Sequence, residues 1–257
     1  MRRIERIQPD ASQPFFGERA FAHKGGMHAS GMARHVQAYE FSSPEQWGNE
    51  RVIVGSKQSG LSNVRALVEK SAVLTSEQRR KVLEDSSVQQ KILAELKRRE
   101  SAGFSYELAP ASLELLMLRC VGEYPRNVVE LAPPNVQDTL GKHSSATIKV
   151  QVNGDIEAHH EVADSEHGVI QALWLALQKA THNSYPCLAD LQLADFQVHK
   201  DPTSDEGAGS VVQVHIDFSF QGTSFRTTSS APDMLRACWD ALHDGVDYVL
   251  LLRPVRA

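Results

Sequence analysis

Two copies of one pattern, a β-hairpin followed by a helix, restrict the fold more than any other feature of the sequence. In the first copy, residues 147–152 alternate apolar and polar side chains and end at Asn153-Gly154, a dipeptide typical of hairpin turns. The return strand is predicted over 157–163, and a helix rich in Ala and Leu over 168–180.

The second copy repeats this order after a strand predicted over 191–200 and a polar loop. Its hairpin is predicted over 211–229, with the turn at Gln221-Gly222, and its helix over 232–250. Two such units can bury their apolar faces by packing sheets and helices together, which gives a layered α+β domain.

The first half of the chain is predicted to be mainly helical. Apolar residues recur at helical spacing after Asn63, Thr75 is suited to cap a further helix, and Pro110 is suited to the first turn of another. Proline and glycine then become frequent, although 128–131 can pair as an edge strand. We therefore predict three segments: linker subdomains over 1–122, a connector over 123–145 and a repeat domain over 146–257.

Composition excludes several classes of protein. The net charge of -5 and the pI of about 6.1 give no basic footprint for nucleic acid. No apolar run is long enough for a transmembrane helix, so we expect neither a nucleic-acid nor a membrane partner. The three cysteines are odd in number and far apart, which favours reduced thiols in a cytoplasmic protein.

The stretch 21–63 has a different character, because histidine, lysine, tyrosine, serine and asparagine lie among glycines with little apolar periodicity. Polar groups on glycine-bearing loops are typical of a functional site. The spacing of His23 and His28 does not place them on one helical face, and no nearby carboxylate completes a metal site. No GxSxG motif is present, so a hydrolase triad is not expected.

Three blocks of this stretch carry a resemblance to a known family. The blocks FAHKGGMHASGM, YEFSSPEQWGNER and GSKQSGLSN occur in the order and spacing of the linker of the citramalate and alpha-isopropylmalate synthases. The later segment 103–116 resembles the citramalate branch, and the resemblance continues into a regulatory-type domain. It implies a helical linker followed by a regulatory α+β domain of two hairpin-helix repeats, in a homodimer.

The resemblance also implies roles for residues of the stretch. His28 and Tyr39 match catalytic linker residues that reach the active site of the partner subunit, with His28 positioning a 2-oxo acid or moving a proton. Weaker matches assign substrate contacts to four further residues, His23, Lys24, Ser59 and Asn63. A plainer interpretation makes the histidine and tyrosine anchors of the linker, and Gly60 and Asn63 a turn that caps the next helix.

The resemblance places the catalytic barrel outside these 257 residues. The family uses a divalent metal whose ligands lie in that barrel, so we expect no cofactor in this chain. A Claisen-type condensation needs a base and an electrophile, and neither can be assembled from this sequence. The sequence also departs from the family pattern at 29–31 and 41–43. We therefore expect this chain alone to be catalytically silent.

In the related synthases the regulatory domain binds the end-product amino acid between paired domains. Such a pocket needs acceptors for an ammonium, N–H donors for a carboxylate and an apolar slot. Candidates by residue type alone are Asp195, Thr227, Thr228 and Ser229. No acid–base pair at suggestive spacing is predicted in the repeat domain, and a dimerisation domain without a ligand remains an alternative.

The implied activity of the whole enzyme is an acyltransferase that condenses acetyl-CoA with pyruvate to citramalate, in isoleucine biosynthesis. Two other interpretations stay open. One is a non-enzymatic module that senses a branched-chain amino acid and dimerises, acting on a separately encoded barrel. The other is the same fragment of an isopropylmalate or homocitrate synthase.

Overall fold

The computed structural model describes most of the chain from residue 42 onward and a few shorter segments before it. The described residues are 13–17, 19–23, 25, 30–32, 34–35, 40, 42–122, 124, 127–139, 142–152, 158–200 and 210–252. They fall into two compact units, 1–98 and 99–257. No helix in this described part is long and apolar enough to cross a membrane.

The first unit contains the predicted helices and, in addition, two short strands that were not predicted. Strand β1 (Ala22–His23) pairs in parallel with β2 (Val52–Ile53). The helices are α1 (Leu61–Lys70), α2 (Ser76–Glu84) and α3 (Ser86–Ser101). Apolar residues at helical spacing are buried on each of these helices: Val64, Val68, Val82, Ile92 and Leu96.

The cap predicted at Thr75 is confirmed. Its hydroxyl accepts a hydrogen bond from the backbone N–H of Gln78 at 3.2 Å, and the Gln78 side chain accepts one from the N–H of Thr75 at 3.0 Å. Two N–H groups that have no partner within helix α2 are thereby satisfied.

Thr75→Ala is expected to destabilise the first unit by about 1 kcal/mol, because the N–H of Gln78 loses its acceptor. Urea denaturation followed by far-UV circular dichroism measures this loss. The matched control is Ser76→Ala, at the adjacent exposed position, which should change stability by less than about 0.5 kcal/mol. Equal effects of the two substitutions would contradict the capping role.

The second unit contains the two predicted repeats, and each has one strand more than its hairpin. The first repeat comprises β3 (Val128–Thr139), β4 (His143–Val152), β5 (His159–Ser165) and α5 (Val169–Thr181). The second comprises β6 (Leu191–Lys200), β7 (Val212–Phe220), β8 (Thr223–Ala231) and α6 (Met234–Leu252). The strand orders are β3-β4-β5 and β6-β7-β8, both antiparallel. The predicted α+β class is confirmed.

The turn predicted at Gln221-Gly222 is confirmed, with φ of 50° and 81° at its two residues. Positive φ at both central positions is typical of a two-residue hairpin turn. The corresponding turn at Asn153-Gly154 lies outside the described residues.

Both repeats contribute to one apolar core. Alternate residues of β4 and β7 are buried, which is the period of two expected for strands with one face on a core. These residues are Ala146, Ile148, Val150, Val152, Val214, Ile216, Phe218 and Phe220. Helices α5 and α6 cover this face of the sheets.

The strand predicted over 128–131 is an edge strand and continues to Thr139. It tolerates Pro133 and Pro134 because an edge strand leaves one side of its backbone unpaired, and its register shifts on both sides of Ala132. Most of the segment predicted as a connector over 123–145 is therefore strand.

Helix α4 (Pro110–Val121) belongs to the second unit, where it packs on β8 and α6. The division between the units at 98 and 99 therefore differs from the predicted limit of the linker subdomains at residue 122. The Ser112 hydroxyl links α4 to β8, accepting from the N–H of Thr228 at 2.9 Å and donating to its carbonyl at 3.3 Å. Ser112 thus satisfies backbone groups on the free edge of β8, which is the last strand of its sheet.

Candidate functional site

In the first unit, His23 lies beside a carboxylate that sequence reasoning did not assign. Its Nε2 is 3.2 Å from Oε1 of Glu40. Arg51 donates to both oxygens of Glu40, at 2.6 and 2.5 Å. The hydrogen bonds from Arg51 are the main reason why the pKa of Glu40 lies below its usual value, and His23 adds to the effect. Glu40 therefore stays ionised and holds His23 in place.

Ser59 and Asn63 are 3% and 0% exposed, and their side chains make local bonds. The Ser59 hydroxyl accepts from the N–H of Ser56 at 2.9 Å and lies 3.4 Å from the carbonyl of Val54. Asn63 accepts from the N–H of Gly60 at 3.1 Å, at the start of α1. The capping interpretation of this turn is confirmed, whereas a substrate contact by either residue stays a prediction. His28, Tyr39 and Lys24 lie outside the described residues.

The four candidate effector residues of the second unit are not brought together. Asp195 is exposed on β6, where its carboxylate accepts from the N–H of Phe196 at 2.9 Å. Thr227 is buried, and its hydroxyl donates to the carbonyl of Ala241 at 2.8 Å. Thr228 and Ser229 lie together at a cavity lined by several charged side chains.

This polar cavity has a volume of about 400 Å³ and lies within the second unit. Its walls come from residues 99–104, where the second unit begins, and from α4, β3, β8 and α6. Three arginines face four carboxylates across it, together with His243 and three aromatic rings. Its lining residues are Arg99, Phe104, Arg119, Tyr124, Val128, Val129, Glu130, Thr228, Ser229, Arg236, Trp239, Asp240, His243, Asp244 and Asp247.

One ion pair joins α4 to α6 at this cavity. Arg119 donates to Asp244 at 2.5 Å, and its guanidinium carbon lies 4.9 Å from the ring centre of Tyr124. The Arg119 and Asp244 side chains are 29% and 14% exposed. Burial raises the pKa of Asp244 above its usual value, and the nearby charge of Arg119 opposes that rise.

A second set of bonds joins β3 to α6. Glu130 accepts from Arg236 at 2.7 Å and from the indole N–H of Trp239 at 2.7 Å. Arg236 also pairs with Asp240, one turn further along the helix. These bonds lower the pKa of Glu130 in spite of its partial burial, so this wall of the cavity carries paired charges.

The third group of cavity residues comprises Tyr124, His243 and Asp247. Asp247 is 2% exposed and accepts from the Tyr124 hydroxyl through Oδ2, which is also 3.4 Å from Nδ1 of His243. Burial alone would lower the pKa of His243, but its contact with Asp247 and the nearby carboxylates outweigh burial and raise it. Among the described residues, Asp247 Oδ1 and His243 Nε2 have no hydrogen-bond partner.

Sequence reasoning missed this third group. The prediction that the repeat domain has no acid–base pair at suggestive spacing was wrong, because His243 and Asp247 are an i,i+4 pair on α6. The available signal was the presence of His243, Asp244 and Asp247 within an otherwise apolar helical run. Charged residues at buried helical positions need partners, and those partners lie far away in the sequence.

Two family models match the chain. Residues 107–250 match the LeuA allosteric (dimerisation) domain, and residues 15–95 match a domain described as homocitrate synthase post-HMGL domain-like. The first match covers both repeats of the second unit and the helix α4 that packs on them.

Curated relatives agree with these matches. The chain is 36% identical to an (R)-citramalate synthase of Synechocystis sp., over 97% of this chain and 45% of the relative. It is 33% identical to an (R)-citramalate synthase of Geobacter sulfurreducens, over 96% of this chain and 46% of the relative. A 2-isopropylmalate synthase of Methanocaldococcus jannaschii is 23% identical over 96% of this chain and 44% of the relative. The chain thus spans less than half the length of these relatives.

Proposed function

Since the chain belongs to the family of the LeuA allosteric (dimerisation) domain and is a regulatory region of a citramalate or isopropylmalate synthase-type protein, we propose that it controls an acyltransferase that condenses acetyl-CoA with pyruvate. The product would be citramalate, and the effector a branched-chain amino acid of the isoleucine pathway. One observation carries this proposal. The segment 107–250, which matches the allosteric domain, coincides with the two packed repeats.

The two units would have different roles. The first unit would bring His28 and Tyr39 to the active site of a partner subunit, with His23 held by Glu40 nearby in the sequence. The second unit would dimerise and bind the effector. Three large apolar strand residues, Leu131, Val162 and Phe196, are 46–48% exposed and support a surface that a second copy would cover.

The divalent metal implied by the family is not assigned to this chain. Among the residues that the structure describes, no three His, Cys, Asp or Glu side chains are placed to hold a metal ion. In the proposed enzyme, base and Lewis-acid chemistry would belong to the barrel.

Isoleucine is expected to bind the purified chain, with valine binding about tenfold more weakly because one missing methylene in an apolar slot costs at least that much. Isothermal titration calorimetry with isoleucine, leucine and valine measures the order. Analytical ultracentrifugation of the same sample is expected to give a dimer. Selective leucine binding would instead favour an isopropylmalate synthase, and a monomer that binds none of the three would overturn the proposal.

A second candidate is a non-enzymatic module that senses the amino acid and acts on a separately encoded barrel. It shares the dimer and the effector, so calorimetry does not separate it from the first. Addition of the chain to a purified barrel from a citramalate synthase does. Effector-dependent activity of the mixture would favour the separate module, and no effect would favour a covalently linked enzyme.

A further inference from the structure

Among the described residues, the interface between α4 and α6 brings two carboxylates together with one arginine. Asp244 and Asp247 both lie on α6, with side chains that are 14% and 2% exposed. Arg119 of α4 pairs with Asp244 at 2.5 Å, whereas Asp247 has no arginine or lysine partner in the described part of the chain. A buried carboxylate without a positive partner is strongly destabilising, so this interface requires a further positive charge.

His243 is placed to supply this charge. Its Nδ1 lies 3.4 Å from Oδ2 of Asp247, which is one helical turn further along α6. The His243 side chain is 19% exposed, and Asp244 follows it directly in the sequence. When His243 is protonated, it and Arg119 balance the two carboxylates. When His243 is neutral, one buried negative charge is left without a counter-charge.

We propose that a proton bound to His243 holds the α4–α6 interface together, and that release of this proton as pH rises loosens the contact between the two helices. Hydrogen bonds connect the histidine to α4. The Tyr124 hydroxyl, shortly after α4, accepts from Arg119 at 3.4 Å and donates to Oδ2 of Asp247. Loss of the proton leaves Asp247 as an uncompensated buried charge, and opening of the interface to water relieves that cost.

The groups around His243 come from each element that lines the cavity. The titratable and charged ones are Arg99 at the start of the second unit, Arg119 of α4, Tyr124, Glu130 of β3, and Arg236, Asp240, Asp244 and Asp247 of α6. Glu130 and Asp240 both pair with Arg236. Strand β8 contributes Thr228 and Ser229, whose hydroxyls do not titrate, and α6 also packs on β7 and α5, which contribute apolar residues to the core. The protonation of His243 is therefore governed by the two aspartates beside it and by Arg119.

The direction of the pH effect follows from the pKa of His243. Burial lowers this pKa, but the hydrogen bond with Asp247 and the charges of Asp247 and Asp244 raise it by more, so it lies above its ordinary value of 6.5. Such a group stabilises the folded state fully below its unfolded pKa and loses this effect as pH rises through its folded pKa. Burial also raises the pKa of Tyr124, so that hydroxyl keeps its proton over this range. The interface should therefore be tight below about pH 6.5 and loosen above the raised pKa of His243.

NMR of the full chain, with its histidines labelled with ¹³C at Cε1, measures the pKa of His243. The chain has 11 histidines, and His243→Gln identifies the relevant signal by removing it. The pKa is expected above 6.5 in wild type and below 6.5 in Asp247→Asn, where one carboxylate fewer opposes the effect of burial. A wild-type pKa at or below 6.5, or the same pKa in folded Asp247→Asn, would overturn the proposal.

Hydrogen–deuterium exchange followed by mass spectrometry measures the contact between the helices. Exchange of the α4 amides, corrected for the intrinsic effect of pH, is expected to become faster as pH rises through the measured pKa of His243. The expected increase is about tenfold for each unit by which that pKa exceeds 6.5, because proton binding and local opening are linked. Exchange in wild-type α4 that stays constant while His243 titrates would refute the role of the proton, and this comparison requires no variant.

His243→Gln is expected to give the fast exchange of α4 at every pH, because glutamine carries no titratable proton. The matched control is His182→Gln, at an exposed histidine outside the cavity, which should keep the pH dependence of wild type. A pH dependence of α4 exchange that survives unchanged in His243→Gln would assign it to another group and contradict the proposal.

Discussion

Gly245→Ala is expected to destabilise the second unit by about 2–3 kcal/mol, because a Cβ at this position overlaps a ring that has no room to move. A Cβ built on Gly245 overlaps Cζ and Cε2 of Phe218 and lies 3.0 Å from its Cδ2. Phe218 is fully buried, stacked on Phe225 at 5.3 Å and edge-on to Trp174 at 5.8 Å. The overlap outweighs the gain of about 1 kcal/mol that alanine brings to a helix interior.

A double-mutant cycle with Phe218→Leu tests this cause. Phe218→Leu alone should destabilise by creating a cavity, but it provides space for the alanine methyl group. The double variant should therefore be more stable than the sum of the two single effects predicts, by about 1 kcal/mol or more. Urea denaturation of the four proteins measures the coupling, and additive effects would show that Gly245 is needed for another reason.

The sequence was sufficient to predict the repeats because strands and helices are encoded locally. Alternation over 147–152 and the residues at Gln221-Gly222 specify strand and turn without reference to distant parts of the chain. Strand β3, at the edge of the first repeat, was only partly predicted. Its prolines and register shifts obscure the period of two, and its pairing depends on β4.

The boundary between the units was harder to predict for a related reason. Helix α4 has ordinary helical signals, and its sequence does not say which unit it packs on. Its assignment to the second unit depends on contacts such as that of Ser112 with Thr228, which are 116 residues apart. Composition marks changes in local structure, whereas domain limits follow tertiary packing.

The polar cavity could be predicted least. Its ion pair between Arg119 and Asp244 joins residues 125 positions apart, and Glu130 reaches Arg236 across 106. Residue type led to Thr228 and Ser229, which do line the cavity, but equally to Asp195, which does not. Type alone cannot distinguish a strand residue that faces a cavity from one that faces solvent.

Arg119→Met is expected to lower the free energy of unfolding by about 3–5 kcal/mol, because it leaves the carboxylate of Asp244 in a partly buried site without its cation. The control is the pair of Arg98 with Glu95, in which the Arg98 side chain is 67% exposed. Arg98→Met should lower the free energy of unfolding by less than about 1 kcal/mol. Denaturant titration of both variants measures the difference. Equal losses would mean that burial does not strengthen the Arg119 pair.

The loss of stability in Arg119→Met should depend on pH in a definite direction, because it arises from the carboxylate of Asp244. Burial already raises the pKa of Asp244 above its ordinary value of 3.8, and removing Arg119 removes a charge that opposed this rise. A raised folded-state pKa means that the folded variant binds a proton more tightly than the unfolded chain. The difference in stability between wild type and Arg119→Met should therefore shrink as pH falls through the raised pKa of Asp244 toward 3.8. Asp244→Asn in the Arg119→Met background should recover most of the lost stability at neutral pH and remove this pH dependence. A loss of stability that persists unchanged in the double variant would instead be caused by the lost packing of the arginine side chain.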